Sequence, residues 1–370
     1  MLKRFSVENF KGFEKEIIFD LAARDYVFNK ELIRNSIVNK AVIYGKNGIG
    51  KSSLGIAIFD IVSHLTDKEK INHKYIENYR NLNKADKAVT FRYVFQFEET
   101  EVVYEYHKID INFLVDELLI VNGEKWIDYN YFNQDYRYIS PKIRGSLNIE
   151  LVDNQLSVLK YIYRNTPVNP ESPLTKLMQF CDNMLWYRSL SDGNVYAGFA
   201  NGASTLSEKL YESGKLHEFE AFLRDNGLDY TLKYEAENGK HLLYAYYNNG
   251  KNKALFESLA STGTSALFLF FTWRAMAFEK ISFLFIDEFD AFLHYESAEL
   301  LVKLLNRERS FQSVLTTHNT YLMTNNLTRP DCCFIMTQNK ITSLANCTDK
   351  EIREAHNLEK MYINGAFLDE

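Results

Sequence analysis

Apolar residues fall along this chain in two patterns. Residues 282–288, Ser-Phe-Leu-Phe-Ile-Asp-Glu, form a run too continuous for a half-exposed strand, which predicts a buried central strand of a parallel sheet. Shorter apolar stretches at 41–44 and ahead of Thr316 and Thr317 read as further strands. By contrast, 89–97 and 102–107 alternate aromatic with polar residues, which predicts antiparallel neighbours, with another strand at 118–121. Helical patterns occupy 53–64 and resume from Leu156, broken by Pro167, Pro170 and Pro173. Strands at 230–234 and 241–247, followed by an Asn248-Asn249-Gly250 turn, lead to an apolar stretch at 266–278. Arg274 interrupts that stretch and it is too short to span a bilayer, so it reads as a buried helix.

The chemistry sits where these elements end. Residues 45–52 read Gly-Lys-Asn-Gly-Ile-Gly-Lys-Ser, a complete G-x-x-x-x-G-K-S phosphate-binding loop between a strand and a helix. Gly45, Gly48 and Gly50 let backbone N–H groups curl around an anion, and the following helix points its positive end at it. Asn47 and Ser53 complete the cradle, Lys51 reaches the β and γ phosphates, and Ser52 offers a hydroxyl oxygen to Mg²⁺. Asp287 and Glu288 close the buried strand, at the strand end where open α/β sheets bind ligands. Asp287 is expected to hold the metal through its water shell, and Glu288 to orient or deprotonate the attacking water.

A glutamate directly after the magnesium aspartate resembles the ABC-type ATPases. Leu259-Ala260-Ser261-Thr262-Gly263-Thr264 resembles their signature loop, with Thr262 in place of the first glycine, and Thr316-Thr317-His318-Asn319 resembles their switch-histidine loop. The resemblance implies ATP as ligand and clamping of its γ-phosphate by Ser261 and Gly263 of a second subunit. A homodimer or larger homo-oligomer, with nucleotide at its interfaces, follows. His318 is implied as a catalytic residue and Gln155 as the γ-phosphate-sensing Q-loop glutamine, with Gln96 as its competitor. The fold implied is α/β, an ABC-type P-loop ATPase head with an antiparallel β layer and an inserted helical lobe. Its expected divisions are 1–154 for the first ATPase lobe, 155–228 for the helical lobe and 229–370 for the remainder.

The opening Glu8-Asn9-Phe10-Lys11-Gly12-Phe13 and the block Asp287-Glu288-Phe289-Asp290-Ala291-Phe292-Leu293-His294 narrow the resemblance to the RecF, SMC and OLD group. His294 and the ending Leu358-Glu359-Lys360-Met361-Tyr362-Ile363-Asn364-Gly365-Ala366-Phe367 resemble stand-alone phage-defence ATPases, the AbiLi-like and PARIS-type chains. No sustained heptads separate the phosphate loop from the signature, which excludes long coiled-coil arms. Residues 319–370 are too few for the TOPRIM nuclease that OLD proteins carry, so effector chemistry is expected from another chain. The implied function is an ATP-hydrolysing sensor or scaffold of a bacterial abortive-infection system, which controls a separate toxin or nuclease and answers a phage-encoded trigger. The alternative is a RecF-like repair ATPase clamping duplex DNA.

Composition sets outer limits. With 27 Phe, 24 Tyr and only 5 Pro, extended disorder is not expected. A formal charge of −6 disfavours a constitutive nucleic-acid binder while leaving room for a local basic groove. Tyr131, Phe132, Tyr136, Arg137 and Tyr138, near Lys142 and Arg144, could stack bases but read better as the surface of a lobe. Cys181, Cys332, Cys333 and Cys347 lack metal-ligand spacing, and no charged-then-apolar leader opens the chain, so a cytoplasmic protein with reduced thiols and no membrane contact is expected.

Overall fold

The computed structural model describes residues 1–68, 77–144, 156–167, 169–188, 195–198 and 205–367. Two seven-stranded sheets organise them. The central one runs Val195–Gly198, Met184–Arg188, Phe283–Asp287, Gln312–Thr317, Lys40–Tyr44, Cys333–Met336, Ile341–Ser343. Its inner five strands are parallel, and the two edge strands are antiparallel to their neighbours.

Every residue of Lys40–Tyr44 and Phe283–Asp287 is buried, because both faces of this sheet are covered. Side chains on a strand point alternately to opposite faces. Ala41, Ile43, Phe283 and Phe285 accordingly join one core, with the antiparallel layer and the phosphate-loop helix. Val42, Tyr44, Leu284 and Ile286 join the other, with the helices Leu216–Asp225, Thr262–Ala277 and Tyr295–Arg307. The same alternation sends Cys332 to the first core and Cys333 to the second.

The second sheet is antiparallel, in the order Asp135–Ile139, Glu124–Asn130, Leu114–Val121, Thr100–Lys108, Val89–Phe97, Leu2–Glu8, Ile17–Asp20. It anchors the helix below it through buried polar groups. Lys108 Nζ lies 2.7 Å from Asp60 Oδ1 with both side chains almost fully buried. The Tyr79 and Tyr106 hydroxyls donate to the same carboxylate at 2.6 and 2.9 Å. A buried carboxylate with these partners is satisfied, and removing one partner would leave an uncompensated charge.

Two sequence expectations are revised here. The helix expected at 53–64 is two helices, Lys51–Ile58 and Asp60–Leu65, meeting at Phe59. The span 155–228, expected as an inserted helical lobe, also contains the strands Met184–Arg188 and Val195–Gly198 of the central sheet. The helices Val158–Asn165 and Pro173–Asp182 that precede them pack on the antiparallel-layer side, whereas Leu206–Ser213 and Leu216–Asp225 pack on the opposite side. A five-residue apolar strand directly after a helix has too little periodicity to be told from its continuation.

Glu117 on the strand Leu114–Val121 gives this layer a pH dependence. Burial pushes its carboxyl up from 4.5 to about 7, and Oε2 accepts the Leu159 N–H at 3.3 Å. The folded state therefore binds this proton more tightly than the unfolded chain does. Its contribution is complete below about pH 4.5 and is lost as pH rises through about 7. Glu117→Gln should remove that slope, on the order of 3 kcal/mol across the window. Melting curves should show the variant gaining on the native protein from roughly pH 5 to pH 8. A constant offset across that range would contradict the assignment.

Candidate active site

The phosphate loop leaves the strand Lys40–Tyr44 and enters the helix Lys51–Ile58. Gly48 and Gly50 have φ of 73° and 111°, which only glycine adopts without strain. A Cβ on Gly50 would stand 2.7 Å from the Phe13 ring, whereas one on Gly48 would meet nothing within 4 Å. The loop is thus packed tightly at its helix end and open at its crest, where Lys46, Asn47 and Gly48 are exposed. That openness at a helix N-terminus suits a phosphate chain. Phe13 belongs to the Asn9–Phe13 segment, and Asn9 Nδ2 donates to Lys84 O and Lys87 O at 3.0 and 2.9 Å. The opening motif therefore buttresses the loop from below.

Lys51 is 5% exposed. Its Nζ donates to Gly45 O and Lys46 O at 2.8 and 3.0 Å, and both ring nitrogens of His318 lie 3.2 Å away. Burial lowers the Lys51 pKa, and Asp287, Glu288 and Asp290 oppose that shift. Asp287, fully buried at the end of Phe283–Asp287, is pushed up by burial, and bonding to Ser52 and the charge of Arg188 oppose this. Thr316 Oγ1 donates to Asp287 Oδ1 at 2.8 Å and accepts the Glu288 N–H at 2.8 Å. One hydroxyl thus fixes both acids.

Glu288 has φ 51°, a left-handed conformation that a residue with a side chain adopts only where its surroundings impose it. Its carboxylate receives Arg188 Nη2 at 2.8 Å and lies 3.9 Å from His318 Nε2. Arg188 Nε is also 3.2 Å from Asp287 Oδ2. One turn on, Asp290 accepts from Thr317 Oγ1 at 2.8 Å, which ties the loop after the acids to the strand end that presents His318. Lys51, Ser52, Asp287, Glu288 and His318 are thereby brought together.

Residues 40–324 match the family described as "AAA domain, putative AbiEii toxin, Type IV TA system". The chain belongs to this family. No curated protein matches the sequence. Among solved structures, the SMC head bound to the C-winged helix domain of ScpA is similar over 93% of this chain and 97% of that chain, at 15% identity and TM-score 0.50. The SMC head domain from Thermotoga maritima covers 92% of this chain and 98% of that one, at 15% identity and TM-score 0.40. The Smc head domain with an extended coiled coil bound to the C-terminal domain of ScpA derived from Pyrococcus furiosus covers 93% and 96%, at 13% identity and TM-score 0.45. The first of these shows a shared fold, the ABC-type P-loop ATPase head.

In this AAA-family ATPase the signature-like loop opens the helix Thr262–Ala277. Ser261 caps the helix Thr262–Ala277, accepting the Thr264 N–H at 3.2 Å. A Cβ on Gly263 would lie 2.6 Å from Phe292 O, so the loop packs on the segment after Glu288. Among the described residues, neither Ser261 nor Gly263 hydrogen-bonds to residues 45–53. The segment 358–367 braces the histidine loop: Thr320 Oγ1 donates to Glu359 Oε1 at 3.3 Å, and Leu358 and Phe367 are buried in the adjoining core.

Gln155 lies outside the described residues, and Gln96 donates to Glu98 O at 2.7 Å in its own strand turn. What reaches the carboxylates from the neighbouring strand is Arg188, paired in register with Asp287. Sequence reasoning missed it because the strand carrying it was read as helix. The signal lies in the acid pair itself: two adjacent carboxylates need a counter-charge, and an arginine at the end of a neighbouring strand supplies one.

The residues present fit a divalent cation with nucleotide. Ser52 and Asp287 offer oxygen ligands only, and Asp287 Oδ2 accepts no hydrogen bond among the described residues. Those residues contain no cluster of three or more His, Cys, Asp or Glu that could hold an ion by itself. Water and phosphate would supply the remaining ligands, the usual arrangement for Mg²⁺. No described helix is long and apolar enough to cross a membrane.

Proposed function

We propose that the chain is a Mg²⁺-dependent ATP hydrolase serving as sensor and scaffold in an abortive-infection system, with its toxic activity, a nuclease by preference, on a separate chain. The observation that carries the enzymatic half is the meeting of Lys51 and Ser52 with Asp287, Glu288 and His318 across three parallel strand ends. Loop N–H groups and Lys51 hold the phosphates, and Ser52 and Asp287 hold the ion, which supplies charge neutralisation when bound. Glu288 takes the proton of a water whose oxygen bonds to the γ-phosphorus as the bond to ADP breaks. His318 sits between Lys51 and Glu288, placed to steady the transferring phosphoryl group.

Among the described residues Ser261 and Gly263 make no hydrogen bond to residues 45–53 of their own chain, which together with the signature-loop resemblance supports completion of the site by a second copy, giving a homodimer or larger ring with ATP at the interfaces. The defence half draws on the family's description as a type IV toxin–antitoxin component and on the AbiLi-like and PARIS-type ending. Nucleotide state would act as the switch, through contacts that differ between open and closed assemblies.

Affinity purification of the Glu288→Gln protein with ATP from its native cells, after nuclease treatment, tests this reading. A stoichiometric nuclease-like protein on the trapped assembly is the expected result. Recovery without such a partner, together with DNA that nuclease removes, would replace it with a DNA-clamping repair ATPase whose turnover rises with DNA and falls steeply with salt. Growth arrest from this chain alone would place the toxic activity on the chain itself and refute the separate effector.

A further inference from the structure

The Arg188 guanidinium lies against the carboxylates of both acids of the site, and the proposed ATPase chemistry assigns it no step. It ends the strand Met184–Arg188, whose parallel register sets it beside Asp287. Its fork divides between the two carboxylates: Nε lies 3.2 Å from Asp287 Oδ2, and Nη2 donates to Glu288 Oε2 at 2.8 Å. The side chain is only 18% exposed, so these pairs lie largely out of water.

Arginine keeps its charge at all working pH values, so this link cannot be released by deprotonation. It can be released only by a competing charge. Asp287 is also the acid bonded by Ser52, so a dication held by Ser52 and Asp287 competes with the guanidinium for the same carboxylate. Like charges repel strongly in a dry site. A nucleoside triphosphate with its Mg²⁺ still carries about two net negative charges, which would draw the guanidinium away from the acids and toward phosphate oxygen.

We propose that Arg188 is a positioning residue that gates the acid pair: it excludes a divalent ion from Asp287 and Glu288 until triphosphate arrives, then transfers to the γ-phosphate and frees Glu288 for water. This rests on the ATPase reading, but its first arm can be measured without nucleotide. A plain structural ion pair would affect folding and leave ion affinity untouched.

Mn²⁺ is the probe, titrated by electron paramagnetic resonance into nucleotide-free native protein, Arg188→Gln and Arg188→Met, with folding checked by melting. Both uncharged variants should bind Mn²⁺ at least about tenfold more tightly. Arg188→Lys, which keeps the charge, should remain near the native value. Adding Asp287→Asn to Arg188→Gln should abolish the gain. Unchanged Mn²⁺ affinity in a folded uncharged variant, or a gain that survives Asp287→Asn, would overturn the gate. In the second arm, loss of Arg188 should weaken ATP at least about fivefold while sparing ADP. Equal weakening of ATP and ADP would overturn the transfer to the γ-phosphate. If the native protein binds no ATP at all, the ATPase reading fails while the Mn²⁺ comparison still decides the gate.

Discussion

Replacing Glu288 with Gln should lower the rate of ATP hydrolysis at least about a hundredfold while leaving ATP binding intact. The substitution is close to isosteric. The Gln oxygen can still accept from Arg188, and the left-handed backbone held by Thr316 has no reason to change. What disappears is the ability to take a proton from water at the moment of attack. A species that binds but does not turn over should accumulate in its closed form, so ATP should shift the variant to a dimer or larger assembly that persists for as long as nucleotide is present. Phosphate release measured beside light scattering reads both effects. Turnover at the native rate would remove Glu288 from the mechanism and leave Asp290 or a bound water as the next candidate. Assembly without ATP would separate oligomerisation from the nucleotide.

Lys51→Ala should abolish nucleotide binding rather than slow turnover. The Lys51 ammonium is buried, and its described partners are two loop carbonyls and the His318 ring. No core packing depends on it, so the protein should remain folded. The triphosphate would lose the one buried cation that the loop directs at it, and burial makes such a charge pair far stronger than it is in water. The readout is ligand-induced stabilisation: ATP at a hundred times its dissociation constant stabilises a binding-competent protein by about 2.7 kcal/mol. The resulting upward shift in melting temperature should vanish in Lys51→Ala. A shift of native size would mean that ATP is held elsewhere.

The parts of the site that could be read from the sequence are those whose logic is local. Glycines at 45, 48 and 50 followed by Lys51 and Ser52 carry their meaning within eight positions, and Asp287-Glu288 follows directly on a run that must be buried. The alternating strands of the antiparallel layer were equally legible, because alternation is a property of consecutive residues. Thr316 and Thr317 were visible as the polar end of a strand, yet nothing in their neighbourhood indicates that their hydroxyls hold Asp287, Glu288 and Asp290. Arg188 was missed altogether. Its partner Glu288 is 100 positions away, and the strand that carries it shows no periodicity of its own.

The sequence by itself determined the class of chemistry, the phosphate loop, the acid pair and the order of elements along an α/β chain. Those depend on side-chain type, on glycine conformation and on the spacing of apolar residues, all of which neighbouring positions set. Tertiary structure alone decided which strands stand side by side, and hence that Arg188 faces two acids, that Phe13 closes under Gly50 and that Gly263 packs against Phe292. Strand order comes from burying both faces of one sheet between two cores, a requirement summed over the whole chain that no single segment expresses.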